Sequence, residues 1–128
     1  MITGEKILEV SGKKDSGATL SGMGINIALD EVKVNGENIE MTYEYTATYD
    51  EKVGFLKIRG VMSTKEDKKL AKEVSEEWGK SKKLPDTYAE MVLAAINYSG
   101  SANGTLIARV LGLSAPLIPP RIQLSKKE

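Results

Sequence analysis

Ile39-Glu40-Met41-Thr42-Tyr43-Glu44-Tyr45-Thr46-Ala47-Thr48-Tyr49 is the stretch that decides the fold. Ile39, Met41, Tyr43, Tyr45, Ala47 and Tyr49 share one face of an extended chain; the intervening Glu and Thr residues share the other. Unbroken two-residue alternation predicts a strand with one face on a core and one in water, as antiparallel sheets have. Upstream, Asn35-Gly36 is a hairpin signal, because both residue types tolerate positive φ. Before it, Gly24 to Val34 places Ile25, Ile27 and Leu29 in one phase and Val32 and Val34 in the other. That slip predicts a β-bulge at Asp30-Glu31. Downstream, Asp50 to Lys52 turns the chain. Gly54 to Ser63 then forms the next strand, with Leu56, Ile58 and Met62 on one face and Phe55 and Val61 on the other. Lys6 to Val10 is a short further strand, and the Gly/Ser-rich stretch from Lys13 to Gly24 reads as a loop.

After Ser63 the period changes. Ser63 with Glu66 fits a capping box, and Leu70, Val74 and Trp78 recur every four residues along a helix that Gly79 ends. Ser81-Lys82-Lys83-Leu84 links it to a second helix, with Pro85 in the first turn. That helix runs to Leu111, about 40 Å if unbroken, with Gly100 and Gly104 weakening its middle. Met91, Val92, Leu93, Ala94, Ala95, Ile96 and Tyr98 cover almost the whole circumference of its first half. One sheet face buries only one side of a helix, so a second apolar partner is expected, and in a chain this short that partner is another subunit. Met91, Ala95, Tyr98, Gly100 and Gly104 are the interface residues this predicts. The spacing of Gly100, Gly104 and Ala108 either admits another helix at close range or marks a kink.

The end of the chain, Leu113 to Leu124, holds three of the four prolines among five Leu/Ile residues. Proline forbids a helix there and removes backbone donors, while exposed aliphatic groups cost free energy. The tail therefore lies extended on this protein's own helix or on another chain. Pro116-Leu117-Ile118-Pro119-Pro120-Arg121 matches a P-x-x-P-x-R ligand pattern, but apolar residues at the x positions favour a packed tail.

Length and composition set the outer limits. A chain of 128 residues is one domain, residues 1–128. Eighteen basic residues balance eighteen acidic ones, which gives no support to nucleic-acid binding. The start, Met1 to Lys6, lacks the apolar core of a signal peptide, and no run of 18 apolar residues predicts membrane insertion. A cytoplasmic protein is expected. His and Cys are both absent. That removes most structural zinc sites and the Ser-His and Cys-His nucleophile pairs. The acidic clusters (Asp30-Glu31, Glu66-Asp67, Glu73/Glu76/Glu77) read as solvated faces. Gly79-Lys80-Ser81 has the ending of a P-loop, but Val74 stands where its first Gly belongs and a helix precedes it. Gly22-Met23-Gly24 lacks the third Gly of a dinucleotide loop. Neither an enzyme nor a cofactor is expected.

What remains is apolar surface. Tyr43, Tyr45 and Tyr49 on one strand face, with Phe55 across the turn, offer large and tolerant contact area, unless the helices simply cover them. The order of elements, with the Thr46-Ala47-Thr48-Tyr49-Asp50-Glu51 to Gly54-Phe55-Leu56 hairpin, Ala94-Ala95-Ile96-Asn97-Tyr98 on the long helix, and Ser114 to Ile122 at the end, resembles the SecB-like protein-export and general chaperone family over residues 24 to 124. The resemblance implies an α+β fold, with a four-stranded antiparallel sheet packed by two C-terminal helices. It also implies a homotetramer and an ATP-independent holdase binding unfolded polypeptides in apolar grooves. Tyr43, Tyr45, Phe55, Trp78, Leu117 and Ile118 are the expected polypeptide contacts. Ile58, between Lys57 and Arg59, stands where the family's secretion members carry an acidic residue, so handover to a translocase motor is not implied. The alternatives are an adaptor module whose apolar surface serves only self-assembly, and a lysine- or carboxylate-based enzyme or small-ligand carrier.

Overall fold

The computed structural model describes residues 1–15, 23–49, 53–113 and 115–116. Four strands precede two helices: β1 (Ile2–Lys14), β2 (Met23–Asn35), β3 (Asn38–Tyr49), β4 (Gly54–Lys65), α1 (Lys68–Ser81) and α2 (Asp86–Leu111). The strands form one antiparallel sheet in the order β1-β4-β3-β2, a meander of β2, β3 and β4 with β1 laid beside β4. This is the α+β arrangement expected from the sequence.

β3 and β4 are the centre of the sheet, and they carry the core. Every odd residue of β3 from Ile39 to Tyr49 is buried, as are Leu56, Ile58 and Met62 of β4. The slip in β2 is a true bulge: the register to β3 shifts between Leu29 and Glu31. This lets Ile25, Ile27 and Leu29, and then Val32 and Val34, all pack against the same core. The hairpin turn is Gly36-Glu37, one residue later than expected. Asn35 stays in β2 opposite Asn38, and only Gly36 takes a positive φ (65°). A Gly in that first position suits a two-residue hairpin loop.

β1 is far longer than Lys6 to Val10 and takes in Lys13 and Lys14 from the expected loop. Its pairing to β4 is interrupted between Ile2 and Gly4 and between Ile7 and Glu9. An edge strand held by backbone pairing on one side needs no clean apolar alternation, which is why its sequence signal is weak. β4 continues to Lys65 and so absorbs Ser63. The α1 cap is therefore Asp67, whose Oδ1 accepts the Leu70 N–H at 2.8 Å. The helix passes through Gly79 and stops where Lys82 turns left-handed (φ 57°), its N–H donating to the Trp78 carbonyl. The expected turn at Asp50 to Lys52 and most of the expected loop, residues 16–22, lie outside the described residues.

α2 is one continuous helix through Gly100 and Gly104. Both glycines are buried against this chain's own sheet and tail. A Cβ on Gly100 would collide with the Tyr45 ring, and one on Gly104 would meet Pro116 Cγ at 2.8 Å and Leu56 Cδ1 at 3.3 Å. The absent side chains thus seat α2 on the sheet rather than admit another helix. Past Leu111 the chain reverses. Gly112 is left-handed (φ 73°), the Gly112 N–H donates to Arg109 O, and the Leu113 N–H donates to Ala108 O. Leu113 and Pro116 are buried as the chain returns along α2. No helix among the described residues is long and apolar enough to cross a membrane.

Candidate functional site

α2 does not cover the sheet evenly. On one flank, Ser99 Oγ donates to both oxygens of Glu5 on β1 (2.7 and 2.8 Å), and Tyr43 Oη donates to Glu5 Oε2. Ile107 and Leu111 close over Gly12 further along. On the other flank, towards edge strand β2, a groove of about 420 Å³ remains. Ile27 and Leu29 of β2, Trp78 of α1, Leu84 of the linker, and Ala89 and Leu93 of α2 line it, with Lys82, Lys83 and Asp86 at its margin.

Each wall has a local cause. Ile27 and Leu29 are the last core-facing residues before the register shift at the bulge. Trp78 ends the apolar stripe of α1 and is only half-buried. The left-handed stop at Lys82 folds its ammonium back over the indole, 5.4 Å from the ring centre. Leu84 is an apolar residue in a linker that otherwise faces water. The result is a trough with an aromatic and aliphatic lining, suited to a large apolar side chain of an extended chain.

The expected contact residues divide sharply. Trp78 lines the groove. Tyr43 and Tyr45 are fully buried in the core, so neither is an exposed groove residue. The physical reason is α2, which lies over this face and comes close enough at Gly100 to cover the Tyr45 ring. Burial raises the pKa of both phenols; the Glu5 hydrogen bond and charge add to the rise at Tyr43, and Ser101 opposes it at Tyr45. Phe55 is half-buried on the opposite face, paired with Lys13 and Thr48, away from the groove. Leu117 and Ile118 lie outside the described residues. Of the expected interface residues, Met91 and Ala95 are half-buried against the core and Tyr98 is 78% exposed. Gly100 and Gly104, turned to the sheet, are not available to a second chain.

Ile27, Leu29, Leu84, Ala89 and Leu93 were not singled out from the sequence. The one signal was Leu84, an isolated apolar residue between lysines and a proline. The outer sheet face carries a separate polar cleft of about 280 Å³ lined by Glu9, Ser11, Glu44, Lys57 and Arg59. There Lys57 pairs with Glu44 at 4.0 Å and Arg59 with Asp30, so acid and base offset one another.

Among solved structures, the chain superposes on the Mycobacterium tuberculosis Rv1957 SecB-like chaperone, solved in complex with a ChAD peptide from the Rv1956 HigA1 antitoxin. The match has a TM-score of 0.65 over 93% of this chain and 85% of that one. The fold is SecB-like. Sequence identity is 8%, so the likeness is of fold. No family model matches the sequence, and no curated protein does. Within this SecB-like fold the Trp78 groove is a concave apolar surface beside a sheet edge.

Proposed function

We propose that this chain is a cytoplasmic, ATP-independent holdase that binds non-native polypeptide segments in extended form. The Trp78 groove carries the reading: an apolar trough on a SecB-like fold, floored by strand β2 at the margin of the sheet. An extended client can pair its backbone with that edge while a large apolar side chain enters the groove. Such binding draws on shallow apolar contact and needs no catalytic group. The solved neighbour's complex with a peptide supports it. The offset charges at Lys57 and Arg59 give no support to a dedicated secretion role.

Suppression of aggregation of a chemically denatured client, followed by light scattering, tests the activity. Anisotropy of a labelled aromatic-rich extended peptide tests the site. Trp78→Ala should weaken the peptide by about tenfold, the loss of one well-buried aromatic contact, with an unchanged melting temperature. Full peptide affinity in that variant would remove the groove from the reading.

Self-assembly is the second reading, and one observation favours it. Ala94, Tyr98, Ala102, Leu106 and Val110 form an exposed row that winds about α2 at four-residue steps, with Tyr98 at 78%, Leu106 at 63% and Val110 at 85% exposure. Ile7, Leu8 and Val10 of edge strand β1 are exposed as well. A homo-oligomer, a tetramer in our proposal, would cover this surface. An adaptor that only assembles would form the oligomer and leave denatured clients to aggregate.

A further inference from the structure

We infer that the Trp78 groove selects apolar segments that carry a carboxylate within two residues of the side chain seated in the groove. The inference rests on the reading of the groove as the client site and adds the chemistry of the client.

The charges at the margin are unequal. Lys82, Lys83 and Asp86 border the apolar lining, and all three residues are exposed. The carboxylates next to Leu29 on the strand are already matched: Asp30 pairs with Arg59, and Glu31 with Lys33 at 3.8 Å. Glu77, Lys80 and Glu90, close to the groove in sequence, are exposed and do not line it. Among the described residues, none of Lys82, Lys83 and Asp86 has an ion-pair partner. Asp86 opens α2 and Lys82 caps the end of α1, so each stands at the helix end whose partial charge opposes its own. Lys83, in the linker between them, has no such offset. The margin is left with an uncompensated positive charge, which attracts an acidic client residue and repels a basic one.

Lys82 brings that charge to the anchor point. Its ammonium lies 5.4 Å from the centre of the Trp78 ring, beside whatever enters against the indole. In an extended segment, side chains two residues apart project to the same side, about 7 Å from one another. With one side chain against Trp78, a carboxylate two positions away can therefore meet Lys82 or Lys83. Pairing with that carboxylate draws the Lys82 ammonium off the indole and bares the ring to the apolar side chain. The two client groups then help one another: the acid takes the lysine, and the apolar group takes the lysine's place on the ring. A segment without the acid has to displace the ammonium unaided or leave it in place.

Labelled peptides of one sequence, with Asp, Asn or Lys two positions either side of a central Phe, separate charge from apolar contact. At low salt the Asp peptide should bind about three- to tenfold more tightly than the Asn peptide, the scale of one or two exposed ion pairs, and the Lys peptide more weakly than either. The advantage should vanish at about 1 M salt, where the screening length is about 3 Å. Lys82→Gln with Lys83→Gln should erase the difference between the Asp and Asn peptides. Lys83→Glu alone should turn the preference towards the Lys peptide. Equal affinity for the Asp and Asn peptides in the unaltered protein overturns the inference, as does a preference that survives Lys82→Gln with Lys83→Gln. If Trp78→Ala still weakens all of these peptides in that case, the groove remains the client site without the charge preference. Binding of none of them removes the client reading itself, and the inference with it.

Discussion

Gly100 shows how much a single missing side chain decides. Spacing of small residues reports that something approaches closely, but the sequence is silent on what approaches; here it is the ring of Tyr45 from the same chain. Gly100→Ala gains about 1 kcal/mol of helix propensity in an exposed helix. Against the immobile core ring it should instead cost about 1–3 kcal/mol through overpacking. Urea denaturation measures the sign, and a stabilised variant would show that the ring can recede. The tyrosines misled for a related reason. Alternation placed Tyr43 and Tyr45 on one face correctly, yet no sequence pattern told whether that face meets a helix or a client. Both meet the helix. Trp78 was legible as the end of an amphipathic stripe, and its half-exposure follows from the left-handed stop at Lys82 just beyond it.

Elements with a face packed on the core were the ones their sequences announced. β3 and β4 declare themselves by alternation, the β2 bulge by its slip of phase, and α2 by its length. β1 did not, because nearly all its residues are exposed and backbone pairing to β4 is what holds it. The α1 cap shifted from Ser63 to Asp67 because β4 outcompeted the helix for Ser63. The core tyrosines also give these elements a shared pH dependence. Burial raises the phenols of Tyr43, Tyr45 and Tyr49, and pushes Tyr88 up to about 12, with its Thr64 hydrogen bond opposing and the Glu66 charge adding. A raised folded pKa stabilises below the unfolded value near 10 and loses that contribution as pH climbs through the folded one. The urea midpoint should therefore fall steeply between pH 10 and pH 12, and Tyr88→Phe, in which one such phenol is missing, should fall less steeply. Parallel curves for the two proteins would contradict the assignment to Tyr88.

At the scale of the whole molecule, the exposed line on α2 sets the expectation for assembly. Leu106→Glu with Val110→Glu places two charges on residues that are largely exposed in the single chain. The variant should keep its fold by circular dichroism while native mass spectrometry shows the oligomer dissociating to monomer. An unaltered mass distribution would move the interface elsewhere. The placing of β1 carries one more consequence, and it is temporal. Ile2 pairs with Thr64 and Lys14 with Gly54, so the first strand to be made has its partner among residues some forty to sixty positions later. The β2-β3-β4 meander can close hairpin by hairpin as it emerges, whereas β1 must wait for a large loop to close around it. For that interval, strand β1 is itself an unpaired extended segment carrying Ile7, Leu8 and Val10, the same kind of chain that we propose the finished groove holds.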